Sequence, residues 1–164
     1  PIPVNAYIIW AVIVVAWSFM YRASEYLRTP GGENKVMRGS DFAFETGGVP
    51  TRGQPEELGA TLRSHKADQE AFGWSKSHFV SGEIICVVMA VWHYARMFPE
   101  RIHDGAEAHL PFARWTDGSW IRREQVQNLL RQAARHVGLP AERFVSHSLR
   151  LGGASALLPR GQRR

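Results

Sequence analysis

Cysteine is almost absent from this chain. The single one, Cys86, leaves no partner for an internal disulfide and excludes a cysteine-cluster metal site. It lies in the apolar run Ile84-Ile85-Cys86-Val87-Val88 and reads as a buried thiol. The seven histidines are scattered without ligand-like spacing, so neither a metal nor another cofactor is expected. Lysine is scarce too, limited to Lys35, Lys66 and Lys76. Long hydrophobic runs are also missing. Tyr7 to Tyr21 is apolar apart from Ser18, but it falls a turn short of the about 20 residues that span a bilayer. It also lacks the basic region and small-residue cleavage site of a signal peptide. A helix buried on most sides is the expected form, with no membrane partner.

What is present is arginine, unevenly placed. The chain has 164 residues, 45% of them hydrophobic, enough for one domain with a real core. It opens on Pro1 and reads as the interior of a longer protein. Its formal net charge is +5, but residues 114–164 hold ten arginines against Asp117, Glu124 and Glu142, a surplus of seven. Residues 1–113 are therefore two negative. Guanidinium pairs bidentately with phosphate, so double-stranded DNA is the expected partner, ahead of an anionic membrane surface.

The patterning predicts the elements in order. An apolar helix runs to about Met20, and a short helical turn follows at Arg22. Ser40 to Phe44 alternates as a strand, Glu45 to Glu57 is a loop, Ala60 to Ser64 is a second strand, and the region around His78-Phe79-Val80 is a third. Lys66 falls at the tip of the hairpin between the last two. Gly82 to Phe98 reads as an amphipathic helix with Ile84, Ile85, Val87, Val88, Val91, Trp92 and Ala95 inward. A further helix is expected from about Ile121 to Val137, with Val126, Leu129, Leu130, Ala133 and Val137 on its inner side and Arg122, Arg123, Arg131 and Arg135 elsewhere. The fold class is α+β, mostly helical, with a small antiparallel sheet of three strands.

The last helix carries the most specific pattern, Val145-Ser146-His147-Ser148-Leu149-Arg150-Leu151-Gly152-Gly153-Ala154-Ser155-Ala156-Leu157. His147 and Arg150, three apart, lie on one helical face, where imidazole and guanidinium reach one oxyanion. Ser146 is the expected N-cap, and Leu149, Ala156 and Leu157 anchor the helix. Near the start, Arg22 leaves the apolar helix at the mouth of the core, and Glu25 three residues on can orient it.

Ser-His-Ser-Leu-Arg-Leu-Gly-Gly-Ala-Ser resembles the His-x-x-Arg box of the tyrosine recombinase, or phage integrase, family. Arg22 with Glu25 is similar to that family's first arginine box, although Met20 and Tyr21 stand where a glycine commonly precedes the arginine. Ser64-His65-Lys66-Ala67-Asp68-Gln69 is similar to the segment bearing its hairpin lysine. Taken in order, the three boxes cover nearly the whole chain.

The resemblance implies a DNA breaking-rejoining domain, acting in site-specific recombination or integration through a 3′-phosphotyrosyl intermediate, without metal or cofactor. Arg22 and Arg150 would hold the non-bridging oxygens of the transition state. Lys66 would protonate the leaving 5′-oxygen, and His147 would accept a proton from the nucleophile or orient it. Arg122, Arg123, Arg131 and Arg135 would contact DNA, and other recombinase protomers would be partners. The nucleophile has no match, because Tyr7, Tyr21, Tyr26 and Tyr94 all precede His147. Residues 1–164 are thus expected to be one partial catalytic domain, without the family's N-terminal clamp domain and C-terminal tyrosine segment. A non-catalytic DNA-binding remnant of a mobile element and a domain like type IB topoisomerases are the alternatives, and a small membrane protein anchored by residues 6–21 is a third class.

Overall fold

The apolar run near the start forms α1 (Val4–Ser18), against which other helices pack. Ile8, Ala11, Val12, Val15 and Ala16 have no exposed surface, while Val4, Tyr7 and Trp10 in the first two turns remain 39–46% exposed. The computed structural model describes residues 3–28, 36–62 and 74–156. In chain order, α2 (Ala23–Tyr26), β1 (Phe42–Thr46), β2 (Val49–Pro50), β3 (Glu57–Leu62), β4 (Trp74–Phe79), α3 (Val87–Met97), α4 (Arg123–His136) and α5 (Ser146–Ala156) follow. The chain is α+β. Among the described residues no helix is long and apolar enough to cross a membrane.

The sheet has four antiparallel strands in the order β2-β1-β3-β4, where three were expected. The extra strand comes from the stretch read as a loop. Gly47 and Gly48 both take positive φ, 59° and 75°, as a two-residue hairpin loop requires, and fold Val49 back onto Thr46. The first strand also starts later than its alternation suggests. Residues Gly39–Asp41 form a 3₁₀ turn, because the Asp41 carboxylate accepts the Arg38 N–H at 2.8 Å. The hairpin tip carrying Lys66 lies outside the described residues.

Two helices are shorter and differently rotated than the patterns imply. α3 begins at Val87, since Gly82 at φ 72° turns the chain first, and Ile84 and Ile85 are 91% and 47% exposed rather than inward. In α4, Val126 and Ala134 are buried and Leu130 is partly so, whereas Leu129, Ala133 and Val137 face outward. Ile121, just ahead of α4, is fully buried and pins the helix start.

α5 closes against α1. A Cβ on Gly153 would overlap the Trp17 carbonyl, and one on Gly152 would come within 3.2 Å of the Trp17 indole nitrogen. Two glycines in succession therefore set the close approach that brings Arg150 to the end of α1. Gly153→Ala is expected to lower stability by about 1–3 kcal/mol, because added volume must push α5 off α1. Chemical denaturation measures it, and an unchanged midpoint would mean that the helices do not touch there.

Ser146 caps differently than expected. Its hydroxyl is buried and accepts from Arg123 Nε at 3.0 Å, while Ser148 Oγ reaches back to accept the Val145 N–H at 3.1 Å. The N-terminal turn is still satisfied, but by the third residue of the helix instead of the first.

Candidate functional site

Where α1 stops, the chain turns sharply. Met20 takes φ 56°, the left-handed conformation a glycine would adopt freely, at a cost of about 1–2 kcal/mol. Beyond it, Arg22 is the N-cap of α2, and the buried Glu25 carboxylate grips it twice. Its Oε2 accepts the Arg22 backbone N–H at 2.6 Å, and its Oε1 takes Arg22 Nη1 at 3.1 Å. One carboxylate thus fixes both the backbone and the guanidinium of Arg22, whose side chain is 35% exposed.

Arg150, half-buried on α5, meets that turn across a cleft of about 160 Å³. Phe19, Met20, Tyr21, Glu25, Leu62, Lys76, Arg150 and Ala154 line it. Arg150 and the carboxylate that holds Arg22 therefore share one opening, although they come from opposite ends of the chain. His147 is exposed in the first turn of α5, three residues before Arg150, and does not line the cleft. Lys66 lies outside the described residues.

Two residues of the cleft escaped the motif reading. Lys76 sits on β4 opposite Ala60, with His78 opposite Leu58, and these partners are buried. Residues directly opposite share a sheet face, so Lys76 and His78 point inward while Ser75 and Ser77 face out. His78 anchors the strand: its Nε2 lies 3.1 Å from the Ser18 carbonyl, and its ring meets Phe19 edge-on at 4.6 Å. Burial pushes the His78 imidazole below its usual 6.5, so it is held neutral. The period-two signal Lys76-x-His78 was there to be read, but both positions are polar.

Tyr21 is the other. Its ring stacks on Phe19 at 5.4 Å, its side chain is 4% exposed, and its hydroxyl is buried without a hydrogen-bond partner. Burial first, then the nearby carboxylates of Glu25 and Asp41, pushes its phenol far above the usual tyrosine range.

A larger groove of about 550 Å³ lies elsewhere, between Trp17, Phe79, Ile84, Ile85 and Ala156. Among the described residues no lysine or arginine lines it. Nor do His, Cys, Asp and Glu side chains gather in groups of three or more among the described residues.

The arginines of the last third do not form one stripe. Arg123 reaches the start of α5 through its bond to Ser146, Arg122 is the N-cap of α4, and both are exposed. At about 100° per residue, Arg131 lies roughly opposite Arg122 on α4 and is half-buried, with its Nε unpaired. Arg135 is exposed near the far end of α4. Arg114 belongs to the interior. It is 3% exposed and donates to Pro111 O at 2.8 Å and Glu107 Oε2 at 2.9 Å, beside a second buried arginine, Arg101, which stacks on Phe98 at 4.5 Å. Part of the basic surplus is thus structural.

Comparison with family models, with curated protein sequences and with solved structures gives no match to this chain.

Proposed function

We propose that this domain grips the backbone of duplex DNA and supplies the charge-stabilising half of a strand breaking and rejoining reaction of the tyrosine recombinase type, in recombination or integration. The observation that carries the reading is that Arg150 lines one cleft together with Glu25, the carboxylate that holds Arg22. A transferring phosphodiester gathers negative charge on its non-bridging oxygens, and preorganised guanidinium donors stabilise that charge without reorganising. Glu25 keeps Arg22 in place for this, and the glycine contact with Trp17 keeps Arg150 in place. His147, exposed one turn ahead of Arg150, is available to a nucleophile approaching from solvent. On this reading Lys66 protonates the leaving 5′-oxygen, and further protomers complete the assembly.

The tyrosines favour a second reading for this chain acting alone, in which it holds DNA and does not cut it. Tyr21, Tyr26 and Tyr94 are buried, and Tyr94 donates to the Phe112 carbonyl at 3.2 Å, so none of them can reach a phosphodiester backbone. Tyr7 is 39% exposed, but it lies on α1 and does not line the cleft. Electrophoretic retention of a labelled duplex at low salt tests both readings at once. Retention weakened by Arg150→Ala is expected, and a chain that ignores DNA at low salt would contradict both.

A further inference from the structure

The groove of about 550 Å³ is walled by Trp17 at the end of α1, Phe79 at the end of β4, Ile84 and Ile85 ahead of α3, and Gly153 and Ala156 on α5. Ile84 and Phe79 are 91% and 69% exposed, and Ile85 and the neighbouring Val80 are exposed too. Scattered surface hydrophobics need no explanation, but four large ones gathered at one opening mark a seat for another apolar group. Charge restricts what that group can be. Among the described residues Glu83 is the only ionised side chain on the lining, because the His78 imidazole is held neutral. A polyanion would meet no cation there, whereas an apolar segment that leads into basic residues would fit.

α5 delivers such a segment. Ala156, the last described residue, stands on the groove wall, and Leu157-Leu158-Pro159-Arg160-Gly161-Gln162-Arg163-Arg164 follows it. Position 157 comes four residues after Gly153, which lines the groove, so one further helical residue puts Leu157 on the groove side of α5. Pro159 disfavours helical backbone at Leu158, and the chain can leave the helix axis there and lay the second leucine along Ile84 and Ile85. The arginines come after the leucines, as an apolar floor with one acidic group at its edge requires. Tethering decides between this occupant and an outside one. A group held one or two residues from its seat meets it at an effective concentration of about millimolar or more, which a free apolar partner would have to match.

We propose that Leu157 and Leu158 of this same chain cover the groove and strap the end of α5 to Ile84, Ile85 and Phe79. α5 is then fastened at two places, by the close approach of Gly152 and Gly153 to Trp17 and by the two leucines beyond Ala156. This surface shares no lining residue with the Arg150 cleft, and its assignment does not depend on the DNA reading.

The test is nuclear magnetic resonance of the full wild-type chain with labelled isoleucine and leucine methyl groups. Ile84→Val and Ile85→Val assign the isoleucine signals, and Leu157→Met and Leu158→Met assign the leucine signals. Nuclear Overhauser contacts from Leu157 and Leu158 to Ile84 and Ile85 are expected, unchanged on dilution and absent between molecules in a mixture of labelled and unlabelled chains. Leu157→Ser combined with Leu158→Ser should shift the Ile84 and Ile85 signals and lower the melting temperature by about 5 °C or more. Contacts seen only between molecules, and lost on dilution, would give the groove to a second copy and overturn the strap. Leucine methyls that touch neither isoleucine would overturn it as well, whether the doubly substituted chain melts early or not. The contacts are read in the wild-type chain, so the test stands even if that variant fails to fold.

Discussion

Incubated with nicked duplex DNA, the wild-type chain alone is expected to give no covalent protein–DNA band. Added together with a partner polypeptide that carries a tyrosine-bearing C-terminal segment, it should give one. The band should fall about 10²- to 10³-fold in rate on Arg150→Ala, the usual loss for one preorganised donor at a developing oxyanion. Three of the four tyrosines are buried, and two of them, Tyr21 and Tyr26, have phenols that burial pushes well above the ordinary range. Neither of these two is available as a phenolate near neutral pH. A nucleophile from another chain is physically admissible because His147 is exposed three residues before Arg150, which lines the cleft. A band from the chain alone would show that a nucleophile within it had been overlooked. A band that survives Arg150→Ala at full rate would remove Arg150 from the chemistry.

The second large effect is on salt. Log affinity for duplex DNA should fall linearly with log salt, with a slope of roughly −0.9 for each phosphate neutralised. Arg22, Arg150 and the exposed Arg122, Arg123 and Arg135 can reach about four phosphates between them, so raising salt from about 50 to about 200 mM should weaken binding by about two orders of magnitude. Arg114 and Arg101 should contribute nothing to the slope, because both are committed to interior carbonyls and to Glu107. Arg135→Ala should reduce the slope by about one phosphate's share without changing the fold, since the residue is exposed near the C-terminus of α4. A flat salt dependence would mean that the guanidinium surface does not meet a polyanion.

How far the sequence could be read depended on what each pattern measures. α1 was legible because uniform apolarity over a short span has one good solution, burial on most sides. The Arg22–Glu25 pair was legible because i, i+3 spacing on a helical turn leaves the two side chains within reach, and the ion pair is found at 3.1 Å. The hidden strand β2 was not, because a two-residue strand closed by Gly47-Gly48 looks like loop composition. The inward sides of α3 and α4 were misjudged for a related reason. Ile84, Ile85, Leu129 and Val137 fit a helical period, but a period sets only relative angles, and neighbouring packing sets which angle faces the core. Lys76 and Tyr21 were missed on chemistry. A lysine on the inward face of a strand breaks the hydrophobic alternation that reveals strands, and a tyrosine in a core is ordinarily read by its ring and not by its oxygen.

The most direct test of the central claim, that Arg22 and Arg150 act on the same phosphate, is a double-mutant cycle on duplex affinity at fixed low salt. Arg22→Gln is the suitable first variant, since its amide can still donate to the buried Glu25 carboxylate; Arg150→Ala is the second. If both guanidinia engage one phosphate, the double variant should depart from additivity by about 1 kcal/mol, within the range found for residues that share a partner. Losses that add to within about 0.5 kcal/mol would place the two arginines on separate phosphates and contradict a common site.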